Sequence, residues 1–209
     1  MSKSAARPGK IVCVGRNYSE HAKELGNEVP KEPLIFLKPP SSVISDGDAI
    51  RLPSLSDQVE HEAEIGVIIG ATLSNASEAK ARESIAAIIA VNDVTARDLQ
   101  KTDGQWTRAK GFDTFCPLGE PASKFPALDS LTVVCRVNGK ETQRGNSADM
   151  VFSIPMVLSY ISRIMTLEPG DLVATGTPAG VSKLKDGDVV EVEILGVSKV
   201  SNPVRASNA

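Results

Sequence analysis

The chain has 209 residues, 41% hydrophobic and 23% charged, with a formal net charge of −3, so it can build one full core and carries no basic face for nucleic acid. Its three cysteines, Cys13, Cys116 and Cys135, lie far apart without CxxC spacing, which argues against a disulfide framework or a zinc site and for a reducing, cytoplasmic setting. The N-terminal MSKSAARPGK lacks an apolar core and no apolar run approaches about 18 residues, so neither a signal peptide nor a membrane partner is expected.

Residues 1–9 read as a flexible tail before a single domain over 10–209. Lys10–Gly15 (KIVCVG) predicts a short apolar strand ended by glycine. Ser19 is a candidate N-cap for a short helix over 20–25 that stops at Gly26. His21 and Glu24 are three apart on that helix, so the carboxylate can hold and polarise the imidazole as a general base; a chance pair on a solvated face has the same spacing. The chain has only two histidines, and the other, His61, lies in an acidic segment. Leu34–Leu37 (LIFL) predicts a buried strand, followed by a rigid polar loop from Lys38.

Val59–Gly70 (VEHEAEIGVIIG) predicts a strand in which Glu60, Glu62 and Glu64 alternate with His61, Ala63 and Ile65 before an apolar run. Alternation by two places the three carboxylates on one face, about 6.6 Å apart along the strand. Such crowding calls for a cation, although an edge strand with acidic outward positions shows the same pattern. Asn75 and Glu78 predict a capping box, with Ala81 and Ile85 on the inner face of the helix they open. A strand over 86–94 brings Asn92 and Asp93 to its end, and a helix begins in Thr95–Gln100.

Lys101–Lys110, with the sole tryptophan Trp106, reads as a mobile functional loop. Lys110 sits near Phe112 and Phe115, a setting that calls for an anionic partner or for an aliphatic stem lying over the rings. Asn138-Gly139 predicts a tight hairpin between 131–137 and 140–144. Ser153 caps a predicted helix over 154–165, and Val173–Gly180 (VATGTPAG) is a strand entering a glycine-rich loop that lacks the GK[ST] of a P-loop. In the alternating strand Asp188–Ile194, Glu191 and Glu193 read as solvent-facing.

The stretches GRNYSEH, PLIFLKP, HEAEIGVIIG, NDVTARDLQ, WTRAKGFDTFCPLG, NSADMVFSIP and LEPGDLVATGTPAGV, in this order from Lys10 to Val204, resemble the short single-domain members of the fumarylacetoacetate hydrolase family. The resemblance implies an α+β, mostly β fold, a mixed β-roll with a few short helices, usually forming a homodimer. It also implies a Mg²⁺ or Mn²⁺ ion bound by carboxylates matching Glu62, Glu64 and Asp93. His21 and Glu24 match the family's water-activating pair, and Lys110 the lysine that stabilises developing negative charge. Arg16, Arg97, Gln100 and Thr177 fall at positions resembling substrate contacts. Glu60 departs from the pattern, because close relatives commonly have a second histidine there.

These features lead to the expectation of a metal-dependent hydrolase that cleaves acylpyruvates, with a small 2-oxo acid as its partner. Oxaloacetate decarboxylase and hydroxymuconate-type isomerase or decarboxylase are the enzymatic alternatives, because a divalent ion chelated by a 2-oxo acid is an electron sink for all of these reactions. A non-catalytic module that binds a divalent cation or a 2-oxo acid is the reading from a different class.

Overall fold

In the computed structural model, residues 7–206 are described except Leu25 and Asn27, so residues 1–6 of the expected tail lie outside the description, as does the expected helix end at Leu25. Pro8, within the same expected tail, is buried. The first half of the chain forms β1 (Ile11–Gly15), α1 (Ser19–Glu24), β2 (Leu34–Lys38), β3 (Val43–Ile44), β4 (Ile50–Leu52), β5 (Val59–Glu60), β6 (Ala63–Ile69), α2 (Glu78–Glu83), β7 (Ile85–Asn92) and β8 (Thr95–Ala96). The second half adds α3 (Arg97–Thr102), α4 (Thr107–Lys110), β9 (Cys116–Pro117), β10 (Thr132–Val137), β11 (Lys140–Asn146), α5 (Ile154–Ser162), β12 (Leu172–Ala174), β13 (Val189–Ile194) and β14 (Ser198–Ala206).

Two five-stranded sheets, ordered β2-β1-β12-β6-β7 and β11-β10-β13-β14-β4, carry the α+β architecture, with small two-stranded pairings β3-β9 and β5-β8 beside them. The main core lies between the sheets, where Val12, Ile65, Val67 and Ile88 meet Val133, Val192 and Ile194. Ile11, Cys13, Val91 and Leu172 form a second cluster with Cys116 and Leu118. The first sheet is therefore covered on both faces, which is why its central strands are continuous apolar runs. The hairpin β10–β11 turns at Asn138 and Gly139, with φ of 52° and 78°, as expected of an Asn-Gly turn.

Several expectations change. The acidic segment is not one strand: pairing stops after Glu60 and resumes at Ala63, so the alternation argument does not hold across His61 and Glu62. The LIFL strand is not buried: among the described residues β2 is a sheet edge paired with β1, and Leu34 and Leu37 are 37% and 49% exposed. Ser77, not Asn75, caps α2, its Oγ accepting the Lys80 N–H, while Asn75 takes the left-handed conformation at φ 49°. Ile85 accordingly begins β7 instead of continuing the helix. The segment 101–110 is largely helical, since α3 runs to Thr102 and α4 covers Thr107–Lys110. The Ser153-capped helix stops at Ser162, whose hydroxyl donates back to the Ser159 carbonyl and also accepts the Ala76 N–H. Glu191 and Glu193 are half-buried and share the Arg136 guanidinium.

Strand register positions the carboxylates. Antiparallel pairing of β6 with β7 sets Ala63 opposite Asn92 and Glu64 opposite Val91. One step beyond, the Asp93 N–H donates to the Glu62 carbonyl at 2.8 Å and the Glu62 N–H to Asn92 Oδ1 at 3.0 Å. Residues 30 apart in sequence are thus fixed side by side.

Candidate active site

Ligand atoms of Glu62, Glu64 and Asp93 lie within 4.8 Å of one another, and all three residues are buried. Asp93 accepts from Lys38 Nζ at 2.7 Å through Oδ1 and from Lys110 Nζ at 2.6 Å through Oδ2. Lys110 Nζ also donates to Glu62 Oε2 at 2.7 Å, and Arg97 donates to Glu62 Oε1 at 2.5 Å and to Glu60 Oε2 at 2.8 Å. Arg97 completes its contacts on Gln100 Oε1. Glu60, outside the predicted ligand set, thus anchors Arg97 together with Glu62.

Four buried carboxylates, Glu60, Glu62, Glu64 and Asp93, therefore face three buried cations, Lys38, Arg97 and Lys110. Glu64 has no salt bridge among the described residues; its Oε2 accepts only the Gly176 N–H, at 2.8 Å. Burial raises the Glu64 pKa well above the carboxylate range, and the neighbouring charges of Asp93 and Glu62 push it further. Burial acts in the same direction on Glu62, but Lys110 and Arg97 outweigh it and hold that pKa below the usual range. Lys110 is raised because Asp93 and Glu62 outweigh its own desolvation. Three buried hard oxygen ligands, one of them without a cationic partner among the described residues, fit a divalent cation.

The cluster opens on a cavity of about 390 Å³ whose wall includes Arg16, His21, Glu62, Glu64, Arg97, Gln100, Lys110 and Thr177. Eight of the ten residues singled out in the sequence line one space. The remaining two stand behind it. Glu24 Oε2 lies 3.2 Å from His21 Nδ1, and Asp93 sits under Lys38 and Lys110.

The loop after β12 ties the two halves of the site together. Gly176 N–H holds Glu64, and Gly180 N–H donates to Glu24 at 3.1 Å. Between them, Thr177 Oγ1 accepts from Gln143 Nε2 at 2.7 Å and donates to the Ala63 carbonyl at 2.9 Å. At both glycines φ is near +100°, and a Cβ would lie 2.7 Å from Asn17 Cβ at 176 and 2.0 Å from the Thr142 carbonyl oxygen at 180.

Sequence reasoning missed Lys38, Gln143 and the role of Glu60. A lysine closing an apolar strand before Pro-Pro was the available sign for Lys38, but its position reads equally as a strand end. His61 turns away from the carboxylates, with Nδ1 2.9 Å from Gln143 Oε1 and Nε2 2.8 Å from Ser182 Oγ. Burial lowers its pKa.

The family model described as fumarylacetoacetate (FAA) hydrolase C-terminal matches residues 10–205. The oxaloacetate tautomerase FAHD1, mitochondrial, of Arabidopsis thaliana is 46% identical over 197 residues, covering 91% of this chain and 88% of the relative. The oxaloacetate decarboxylase, mitochondrial, of Dictyostelium discoideum is 43% identical over 195 residues, covering 90% and 89%. Among solved structures, a 5-carboxymethyl-2-hydroxymuconate delta-isomerase from Mycobacterium smegmatis superposes with a TM-score of 0.90 at 39% identity, covering 97% of this chain and 81% of that one. On family match, whole-length relatives and fold together, the chain belongs to the fumarylacetoacetate hydrolase family.

Proposed function

We propose that the protein acts on oxaloacetate, moving a proton at the carbon beside the 2-oxo group as a tautomerase or decarboxylase, in preference to hydrolysing acylpyruvates. Two relatives of nearly full coverage carry oxaloacetate activities in their names, which favours this substrate over the acylpyruvate expected from sequence. The observation that carries the reading is His21. It is buried on the wall of a small cavity, held through Nδ1 by Glu24 and separate from the ion-paired cluster.

A Mg²⁺ or Mn²⁺ ion at Glu62, Glu64 and Asp93 would supply Lewis-acid polarisation of the 2-oxo oxygen. With Glu24 accepting from Nδ1–H, His21 presents Nε2 as the base. In tautomerisation His21 takes a C3 proton from the keto form, or returns one to C3 as the enol hydroxyl gives up its own. In decarboxylation the C4 carboxylate leaves as CO₂, its bonding pair passes to C3 and the 2-oxo oxygen, and His21, having first taken a proton from solvent at Nε2, gives it to C3 to form pyruvate. Lys110 contributes fixed positive charge as negative charge develops on that oxygen. Arg16 and Lys101 are the wall residues suited to the distal carboxylate, because Arg97 is already committed to Glu60, Glu62 and Gln100.

The test is a panel of oxaloacetate, acetylpyruvate and fumarylpyruvate, each with Mg²⁺ and with EDTA, read by loss of enol or diketone absorbance and by pyruvate release. Mg²⁺-dependent conversion of oxaloacetate above the uncatalysed rate is expected. Cleavage of an acylpyruvate with oxaloacetate untouched would return the hydrolase reading. A homodimer in the cytoplasm belongs to the same proposal. The cytoplasmic setting is supported by three buried free thiols. Light scattering at twice the chain mass would support the dimer, and a monomer would contradict it. Among the described residues, no helix is long and apolar enough to cross a membrane.

A further inference from the structure

The catalytic cavity is not the largest hollow near the site. A more apolar groove of about 900 Å³ lies beside it, and the two share Arg16, Phe36 and Trp106. Trp106 is the centre of this common wall. Its indole packs edge-on to Phe36, with centroids 5.2 Å apart and planes at 71°, and the Arg16 guanidinium lies 6.0 Å from its ring centroid. Gly15 makes room for it, since a Cβ there would stand 2.9 Å from the indole Cζ3. Arg16 follows in the left-handed region at φ 59°, a conformation that costs a non-glycine residue energy. A glycine and a strained arginine thus both serve to seat one indole.

On the reading above, that the cavity holds a 2-oxo acid, we propose that Trp106 determines specificity by closing the cavity against the groove. An oxaloacetate-sized acid fits in front of the indole. A 2-oxo acid with a long or aromatic arm needs the space behind it, where Leu34, Ile35 and Pro39 line the groove. One side chain then separates a substrate range of small dicarboxylates from one of bulky apolar 2-oxo acids.

The experiment compares wild type, Trp106→Phe and Trp106→Ala in Mg²⁺, measuring binding of oxalate and of phenylpyruvate by calorimetry and kcat/KM for oxaloacetate. The phenylpyruvate-to-oxalate affinity ratio should rise on the order of tenfold in Trp106→Ala and by an intermediate amount in Trp106→Phe, as expected when an apolar pocket gains room. In wild type the single tryptophan also reports directly. Its emission should shift when oxalate binds in front of the indole, and phenylpyruvate should shift it only at concentrations well above those that oxalate needs. Thermal melts identify a variant that does not fold, in which case the Trp106→Phe ratio alone decides. An unchanged ratio in the folded variants, or no phenylpyruvate binding by any of them, would overturn the proposal. If the ratio rises while wild type turns over no oxaloacetate, the wall stands and the oxaloacetate reading falls.

Discussion

Lys38 and Lys110 grip the two oxygens of Asp93 at 2.7 and 2.6 Å, and both lysines are almost wholly buried. Lys38→Met leaves buried Asp93 with Lys110 as its one remaining cation among the described residues, so stability should fall by up to about 3 kcal/mol in denaturant titrations. Added Mg²⁺ should restore more stability to that variant than to wild type, because it supplies the missing positive charge to the same carboxylates. Glu62→Gln removes a ligand and the partner of both Arg97 and Lys110; calorimetry should show weaker divalent binding. His21→Ala should retain that binding and lose about 100-fold or more in proton-transfer rate. A rate unchanged in His21→Ala would remove His21 from its role. At this scale the motif order made Glu62, Glu64 and Asp93 legible as a set. Lys38 was not, since its importance comes from a residue 55 positions away whose proximity no local pattern encodes.

The elements that carry these residues were legible where local chemistry decides them. Asn138-Gly139 forces its hairpin, and Ser153 with Pro155 opens α5. They were less legible where tertiary pairing decides. The acidic alternation breaks at His61 and Glu62 because Gln143 accepts from both the His61 ring and the Ala63 N–H, drawing the backbone toward β11. The exposed face of β2 could not be read from LIFL, because an apolar run does not state whether its strand is central or at an edge.

The loop after β12 is the element most sensitive to single changes. Gly180→Ala meets the Thr142 carbonyl in a left-handed backbone, so a loss of about 2 kcal/mol or more is expected, together with weaker anchoring of Glu24. Near the start of α3, partial burial raises the pKa of Asp98, but hydrogen bonds from Ser56, Asp57 and the Leu99 N–H outweigh it and lower the pKa overall. The stability Asp98 contributes is present above the unfolded carboxylate pKa of about 3.9 and is lost as pH falls through the lower folded value. Asp98→Asn should flatten the acid limb of a stability profile there and leave the neutral region less stable than wild type.

At the scale of the molecule, two sheets and their core bring the helix bearing His21, the β6 and β7 ends bearing the carboxylates, and the loop after β12 to one cavity. On the proposed reading, His21 and a divalent ion at Glu62, Glu64 and Asp93 act together on oxaloacetate. Stopped-flow decay of the enol form of oxaloacetate tests it most directly, in wild type with Mg²⁺, wild type with EDTA, and His21→Ala with Mg²⁺. Fast decay is expected only in the first; decay in wild type with Mg²⁺ no faster than in buffer, or equally fast in all three, would overturn the joint role of His21 and the ion.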